Sequence, residues 1–154
     1  FVQEARSSRA RRGAALTDVV ARAVHTIRHL HGTDRVSISL PPDLPDVVGG
    51  DELVTVLSNL LDNALLASHA GDPVHLVASA DETELRVEVV DDGHGMDERT
   101  AARAFELFFT TRADQGGSGV GLALCRESVE HLGGSIELRA RPGKGTRVTL
   151  HLPV

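Results

Sequence analysis

Apolar residues recur along the chain with two different periods, and the switches between them mark out the elements. From Leu16 they fall at Val19, Val20, Ala23, Val24, Ile27 and Leu30, the spacing of a helix with one buried stripe that His31-Gly32 closes. Val36, Ile38 and Leu40 alternate with Ser37 and Ser39, predicting a half-buried strand ended by Pro41-Pro42. After a loop through Pro45 and Gly49-Gly50, Asp51 is placed to cap a second helix carrying Leu53, Val56, Leu57, Leu60, Ala64 and Ala67. Gly71-Asp72-Pro73 ends that helix, and period two returns over 74–80 and 85–91. So little chain separates these two strands that they should form an antiparallel hairpin. A short helix over Asp97–Leu107 follows, then a third long helix from near Gly119 to Gly133-Gly134. Strands near 135–140 and 146–152, joined by Arg141-Pro-Gly-Lys-Gly, complete an α+β pattern. It predicts a mostly antiparallel sheet with helices on one face.

Composition narrows this little, but charge does more. A chain of 154 residues with 41% apolar and 25% charged content is an ordinary globular domain, read here as residues 16–154 after a charged linker over 1–15. Starting at Phe1, it reads as a fragment or processed product. No apolar run approaches the roughly 20 residues of a membrane helix, so no direct membrane contact is expected. The single Cys125 lies in a helical pattern and suits the reducing cytoplasm as a buried, inert thiol. Residues 1–15 hold four arginines against Glu4, net +3 in a total of −6, so residues 16–154 carry −9. An acidic body argues against nucleic acid as a partner. It also means that a polyphosphate would have to be held by backbone dipoles and a metal.

Four segments point to such a ligand. Gly117, Gly119 and Gly121 alternate with Ser118 and Val120 and run into the helix beginning Leu122. Glycine lets main-chain N–H groups approach an anion, and a helix N-terminus adds unpaired donors and partial positive charge. Asn59 and Asn63 are four apart, hence on one helix face, and a carboxamide oxygen is a hard, neutral ligand suited to Mg²⁺. Isolated asparagines would read as solvated or capping; these sit beside core positions. Val89-Val-Asp-Asp-Gly-His-Gly-Met96 ends a strand in a turn where Gly93 and Gly95 permit positive φ and close approach of a flat ring. Asp91, at the strand end, offers an acceptor-only carboxylate that matches the exocyclic amine of adenine. The competing reading is a plain Asp-Gly turn. Phe105-Glu-Leu-Phe-Phe-Thr-Thr-Arg112 holds three of the four phenylalanines, as core or as the anchor of a mobile lid, and puts Arg112 in reach of a terminal phosphate. His94, without partners at metal-ligand spacing, reads as a loop residue.

In this order, the segments resemble the ATP-binding catalytic domain of sensor histidine kinases, in the superfamily shared with gyrase, mismatch-repair ATPases and heat-shock chaperones. Asn59-Leu-Leu-Asp-Asn63-Ala resembles the N box, Asp91–Gly95 the G1 box and Phe105–Arg112 the F box. Gly117-Ser-Gly-Val-Gly121-Leu resembles the G2 box, and Gly143-Lys-Gly-Thr146 the glycine-threonine end. The resemblance implies a two-layer α/β sandwich of Bergerat type, with ATP and Mg²⁺ between helices and sheet under a lid. It assigns Mg²⁺ to Asn63, adenine to Asp91 with Thr146 assisting, and catalytic roles to Asn59 and Arg112. Further nucleotide contacts would come from Gly93, Gly95, Met96, Phe109, Thr110, Thr111, Gly117, Ser118, Gly119, Val120, Gly121 and Leu122. The implied partners are a helical dimerisation and phosphoacceptor domain, whose trailing end residues 1–15 would be, and a response regulator.

The departures carry information too. Leu107 stands where the F box often has proline, and Leu66 replaces a lysine that many of these kinases aim at phosphate. The short lid, Arg112–Ser118, resembles that of the nitrogen-regulator-like group. None of the eight histidines has the acidic residue and proline that usually follow the phosphoacceptor, so the chain is expected to present ATP without completing autophosphorylation alone. In hydrolytic members of the superfamily a glutamate one turn before the metal asparagine activates water. Here that position is Asn59, whose amide cannot accept a proton as a carboxylate does. Two other readings remain: a serine kinase of the anti-sigma-factor type, and a non-catalytic nucleotide-binding module.

Overall fold

The computed structural model describes residues 13–106 and 121–154. Helix α1 (Leu16–His31) leads to strand β1 (Val36–Ser39), helix α2 (Gly50–Ala67), strands β2 (Val74–Ala80) and β3 (Glu84–Asp91), and helix α3 (Glu98–Arg103). Helix α4 (Gly121–His131), β4 (Ser135–Arg141) and β5 (Gly145–Pro153) follow. The five strands form one sheet in the order β1-β2-β3-β5-β4, parallel between β1 and β2 and antiparallel elsewhere. This is the expected two-layer sandwich. The 74–80 and 85–91 segments do form the hairpin.

Strand alternation and helix period meet in a single core. Leu76 and Ala78 of β2, Leu85, Val87 and Val89 of β3, and Val148, Leu150 and Leu152 of β5 all point to the helix side. Against them lie the α1 stripe of Leu16, Val19, Val20, Ala23, Val24 and Ile27, and most of α2. In α2 the buried set includes Leu61 and Leu65 as well as the residues expected except Ala67, which is half-buried at the helix end, because this helix packs against α1, α4 and the sheet together. Gly32 ends α1 in the left-handed conformation (φ 59°), its N–H returning to the Arg28 carbonyl.

Three local expectations need correction. Helix α2 starts two residues earlier than expected, and its N-cap is Gly49 at φ 72°, without a side-chain cap. Asp51 sits in the first turn, where its charge suits the helix dipole, and its carboxylate accepts from Arg22 at 2.9 Å. Strand β1 is an edge strand of which only Val36 is buried; Ile38 is 40% exposed because no further strand flanks it. The short helix stops at Arg103, and Asp97 caps it by accepting from the Thr100 N–H at 2.7 Å. Of the residues expected beyond that end, Leu107 lies outside the described set.

The outer sheet face carries an ionic clasp. His151 of β5 places Nε2 2.8 Å from Glu137 Oε1 on β4 and Nδ1 3.2 Å from Glu84 Oε1 on β3. Glu84 also takes Arg86 at 2.8 Å. Both ring nitrogens facing carboxylates requires the imidazolium, the only form that donates from both. The Glu137 hydrogen bond raises the His151 pKa above its usual range, and the two glutamates are held below theirs. A raised histidine pKa contributes stability that is fully present below about pH 6.5 and lost as pH rises through the folded value. The glutamate contribution is lost at the acid end instead. The stability advantage of wild type over His151→Gln, from urea melts, should therefore peak near pH 5–6 and shrink above pH 7. A pH-independent difference would refute the clasp.

Candidate nucleotide-binding site

Asn59 and Asn63 stand one turn apart on α2, both half-buried. Asn59 makes a side-chain hydrogen bond with Cys125 of α4, whose thiol also donates to the Val56 carbonyl at 3.8 Å. Burial pushes the Cys125 thiol up to about 11 despite the Asn59 hydrogen bond, so it stays protonated and inert, as its sequence context implies. One turn beyond Asn63, the Ala67 carbonyl accepts from the His94 N–H at 3.2 Å and faces His94 Nδ1 at 3.0 Å. The loop after β3 is thereby fastened to the C-terminal turn of the asparagine helix. His94 serves as a strap, and among the described residues no three His, Cys, Asp or Glu side chains could hold a metal together.

Asp91 is 5% exposed at the end of β3, opposite Thr146 of β5, which is also buried. Its Oδ1 accepts from the Gly93 N–H at 2.9 Å, and the carboxylate accepts from the Thr146 N–H as well. Burial raises its pKa, partly offset by those two donors. A carboxylate offers about four acceptor positions, so two remain for an incoming donor such as an amine. Met96 is half-buried just beyond.

The glycines here are demanded by main-chain contacts that no sequence pattern reveals. A Cβ on Gly93 would stand 2.1 Å from the Ala67 carbonyl oxygen; one on Gly95, at φ 65°, would stand 1.9 Å from that of Arg141. The Gly143 N–H donates to the His94 carbonyl at 2.8 Å, so the β4–β5 turn braces the same loop from the other side. Gly143-Lys-Gly-Thr146 is thus more than a turn. Gly145 (φ 81°) places its Cα where a Cβ would lie 1.9 Å from the Asp91 carbonyl, whereas Gly143 (φ 70°) has nothing within 4 Å. Gly143→Ala should cost about 1–2 kcal/mol for left-handed backbone alone, and Gly145→Ala clearly more. Equal urea midpoints for the two variants would contradict the close packing.

Of the glycine-rich segment, Gly121 opens the described part of α4, where an added Cβ would meet nothing within 4 Å among the described residues, and Leu122 packs on the core. Gly117, Ser118, Gly119 and Val120 lie outside the described residues, as do Phe109, Thr110, Thr111 and Arg112. Phe105 is described: the Arg126 guanidinium of α4 lies 5.8 Å from its ring centroid, tying the chain ahead of this segment to α4. Leu66 is exposed on α2. Sequence reasoning missed the His31–Asp62 contact of 2.6 Å, which joins the end of α1 to α2 beside Asn63. It also missed the Ala67 carbonyl and the Asn59–Cys125 bond. No residue-type signal marks any of the three.

A buried carboxylate, half-buried amides on the adjoining helix and a glycine-packed loop between them fit a flat base with a charged tail. The model of the family described as histidine kinase-, DNA gyrase B-, and HSP90-like ATPase matches residues 49–154. The chain belongs to this ATPase family. The alginate biosynthesis sensor protein KinB of Pseudomonas aeruginosa is 38% identical over 103 residues, 67% of this chain and 17% of that protein. The sensor-like histidine kinase SenX3 of Mycolicibacterium smegmatis is 35% identical over 145 residues, 88% of this chain and 37% of that protein. Among solved structures, the mycobacterial sensor histidine kinase MprB superposes with a TM-score of 0.79 at 25% identity. That match covers 92% of this chain and 96% of the other. The chain therefore spans a sixth to under two-fifths of these two curated relatives. It is an ATP-binding domain of the sensor histidine kinase type, and the serine-kinase reading is not favoured.

Proposed function

We propose that residues 16–154 present Mg-ATP for phosphoryl transfer to a histidine on a separate helical domain, from which the group passes to a response regulator. Residues 1–15 would be the trailing end of that helical domain, and the parent kinase would hold this domain in the cytoplasm. The observation that supports this best is the buried Asp91, two acceptor positions engaged by Gly93 and Thr146 and two left over, on a loop strapped to the helix of Asn59 and Asn63.

The donor set fits magnesium in one particular way. Asn63 offers an amide oxygen, and among the described residues no group of three His, Cys, Asp or Glu side chains could hold a metal, so a cation there needs phosphates and water to complete its shell, as Mg²⁺ prefers. Bound with ATP, it would neutralise phosphate charge that this acidic domain cannot. Asp91 would orient the base, and Thr146 would support that carboxylate through its N–H. Asn59, an amide already bonded to Cys125, cannot take a proton from water, which disfavours hydrolysis and favours transfer to a docked side chain. Phe109, Thr110, Thr111 and Arg112, with the glycine-rich segment Gly117–Leu122, would cover and grip the phosphates.

The chain alone should bind Mg-ATP yet release phosphate at a negligible rate. Supplied in trans with the helical domain of its parent kinase, it should form acid-labile phosphohistidine. Robust steady-state hydrolysis by the chain alone would overturn the role of Asn59. Nucleotide binding without any transfer would leave only the non-catalytic module.

A further inference from the structure

We propose that the cleft on the outer sheet face beside the β4–β5 turn docks a carboxylate-rich segment of a partner protein. This goes beyond nucleotide binding and does not depend on it. The cleft, about 300 Å³, is bounded by Arg139, Arg141, Lys144 and Arg147, with Val90 and Asp92 on its β3 side; Asp91, Gly145 and Thr146 also line it, so it adjoins the site described above. It opens on the face away from the helices, where the outer positions of β4 are all exposed.

Charge is the first argument. Of the −9 on residues 16–154, the nine residues from Arg139 to Arg147 account for +4 and contain no acid, so the remainder carries −13. Four cations converge on one cleft of an otherwise strongly acidic surface. Their intramolecular pairing is slack: Arg139 Nε lies 3.8 Å from Glu137 and Arg147 Nε 4.0 Å from Glu88. Arg141 and Lys144 make no ion pair among the described residues, and Asp92, also exposed, is the one acid on the rim outside the buried Asp91.

Register supplies the second argument. Arg139 and Arg147 are directly opposite one another across β4 and β5. Like charges at directly paired positions destabilise a sheet. A carboxylate seated between the two guanidiniums would remove that repulsion and accept charge-assisted, bidentate hydrogen bonds. The arrangement costs the free domain stability and favours an anionic partner.

The anion is a polypeptide and not a nucleic acid. Among the described residues the cleft has no aromatic side chain on which a base could stack, the contact that single-stranded nucleic acid relies on. The space suits a few side chains of an extended acidic segment, with Val90 as an apolar floor.

The test titrates the isotope-labelled chain with a twelve-residue glutamate peptide at about 50 mM salt, following amide shifts by NMR. Shifts should concentrate at Val90, Asp92 and 139–147 and fade as salt is raised. The double variant R139S/R147S should bind the peptide about fivefold or more weakly, as loss of two exposed charge contacts implies. Its melting temperature should equal or exceed wild type, and its Mg-ATP affinity should be unchanged. That combination separates a docking role from a structural one. No shifts with the peptide, or equal binding by the variant, would overturn the proposal. So would tighter binding of a twelve-residue oligothymidylate than of the peptide, which would make the cleft a nucleic-acid surface.

Discussion

Asn63→Ala should abolish the magnesium dependence of nucleotide binding while leaving the fold intact. Alanine is the best helix former, and the core contacts of this helix come from Leu60, Leu61, Ala64 and Leu65, so α2 keeps its helical propensity and its apolar stripe in the exchange. What disappears is the amide oxygen proposed as the protein ligand. Mg²⁺ takes few protein ligands and leans on phosphate and water for the rest, so removing the one supplied here cuts the link between ion and protein. Wild type should bind ATP about tenfold or more tightly with Mg²⁺ than with a chelator, and in Asn63→Ala the ratio should approach one. Calorimetry in both conditions reads this directly. Asn63→Asp, which keeps an oxygen ligand, should retain the dependence. A full magnesium effect in the alanine variant would take the ion away from Asn63.

Asp91→Asn should separate stability from recognition. The carboxylate is buried and its pKa raised by that burial, so the ionised form at neutral pH costs the free domain stability. The sign follows from linkage: a carboxyl pKa higher in the folded than in the unfolded state means stability falls as pH rises through that window. Asparagine keeps an oxygen for the Gly93 and Thr146 N–H groups but brings an NH₂ where a second acceptor stood. The variant should melt at or above the wild-type temperature, yet bind ATP about ten- to a hundredfold more weakly, the worth of a hydrogen bond to a charged group of about 1.5–3 kcal/mol. The preference for ATP over GTP should fall with it. A large loss of stability with unchanged purine preference would make Asp91 a structural residue only.

Much of this site was legible without coordinates, and the reasons differ from residue to residue. Asn59 and Asn63 share a face because a helix repeats every 3.6 residues, which the apolar spacing of α2 already implies. Asp91 falls at the end of an alternating strand, so its inward direction follows from that of Leu85, Val87 and Val89. Other features had no signature. The extent of α2 burial, the exposure of Ile38 and the start of α2 at Gly50 depend on neighbours distant in sequence. His31 and Asp62, Cys125 and Asn59, and Ala67 and His94 meet through packing that a one-dimensional pattern does not encode.

By itself the chain determined its element order, its acidic balance, the polar residues offered to a nucleotide and the resemblance that the family match then established, because periodicity and residue chemistry are local properties. Tertiary structure decided which glycines are irreplaceable, since Gly93, Gly95 and Gly145 are fixed by carbonyls 26, 46 and 54 residues away along the chain. It also decided that Asp91 is buried between two N–H donors, and that four cations share one cleft with two of them opposed in register. Those are facts of distance between separate segments, and only the folded arrangement sets such distances.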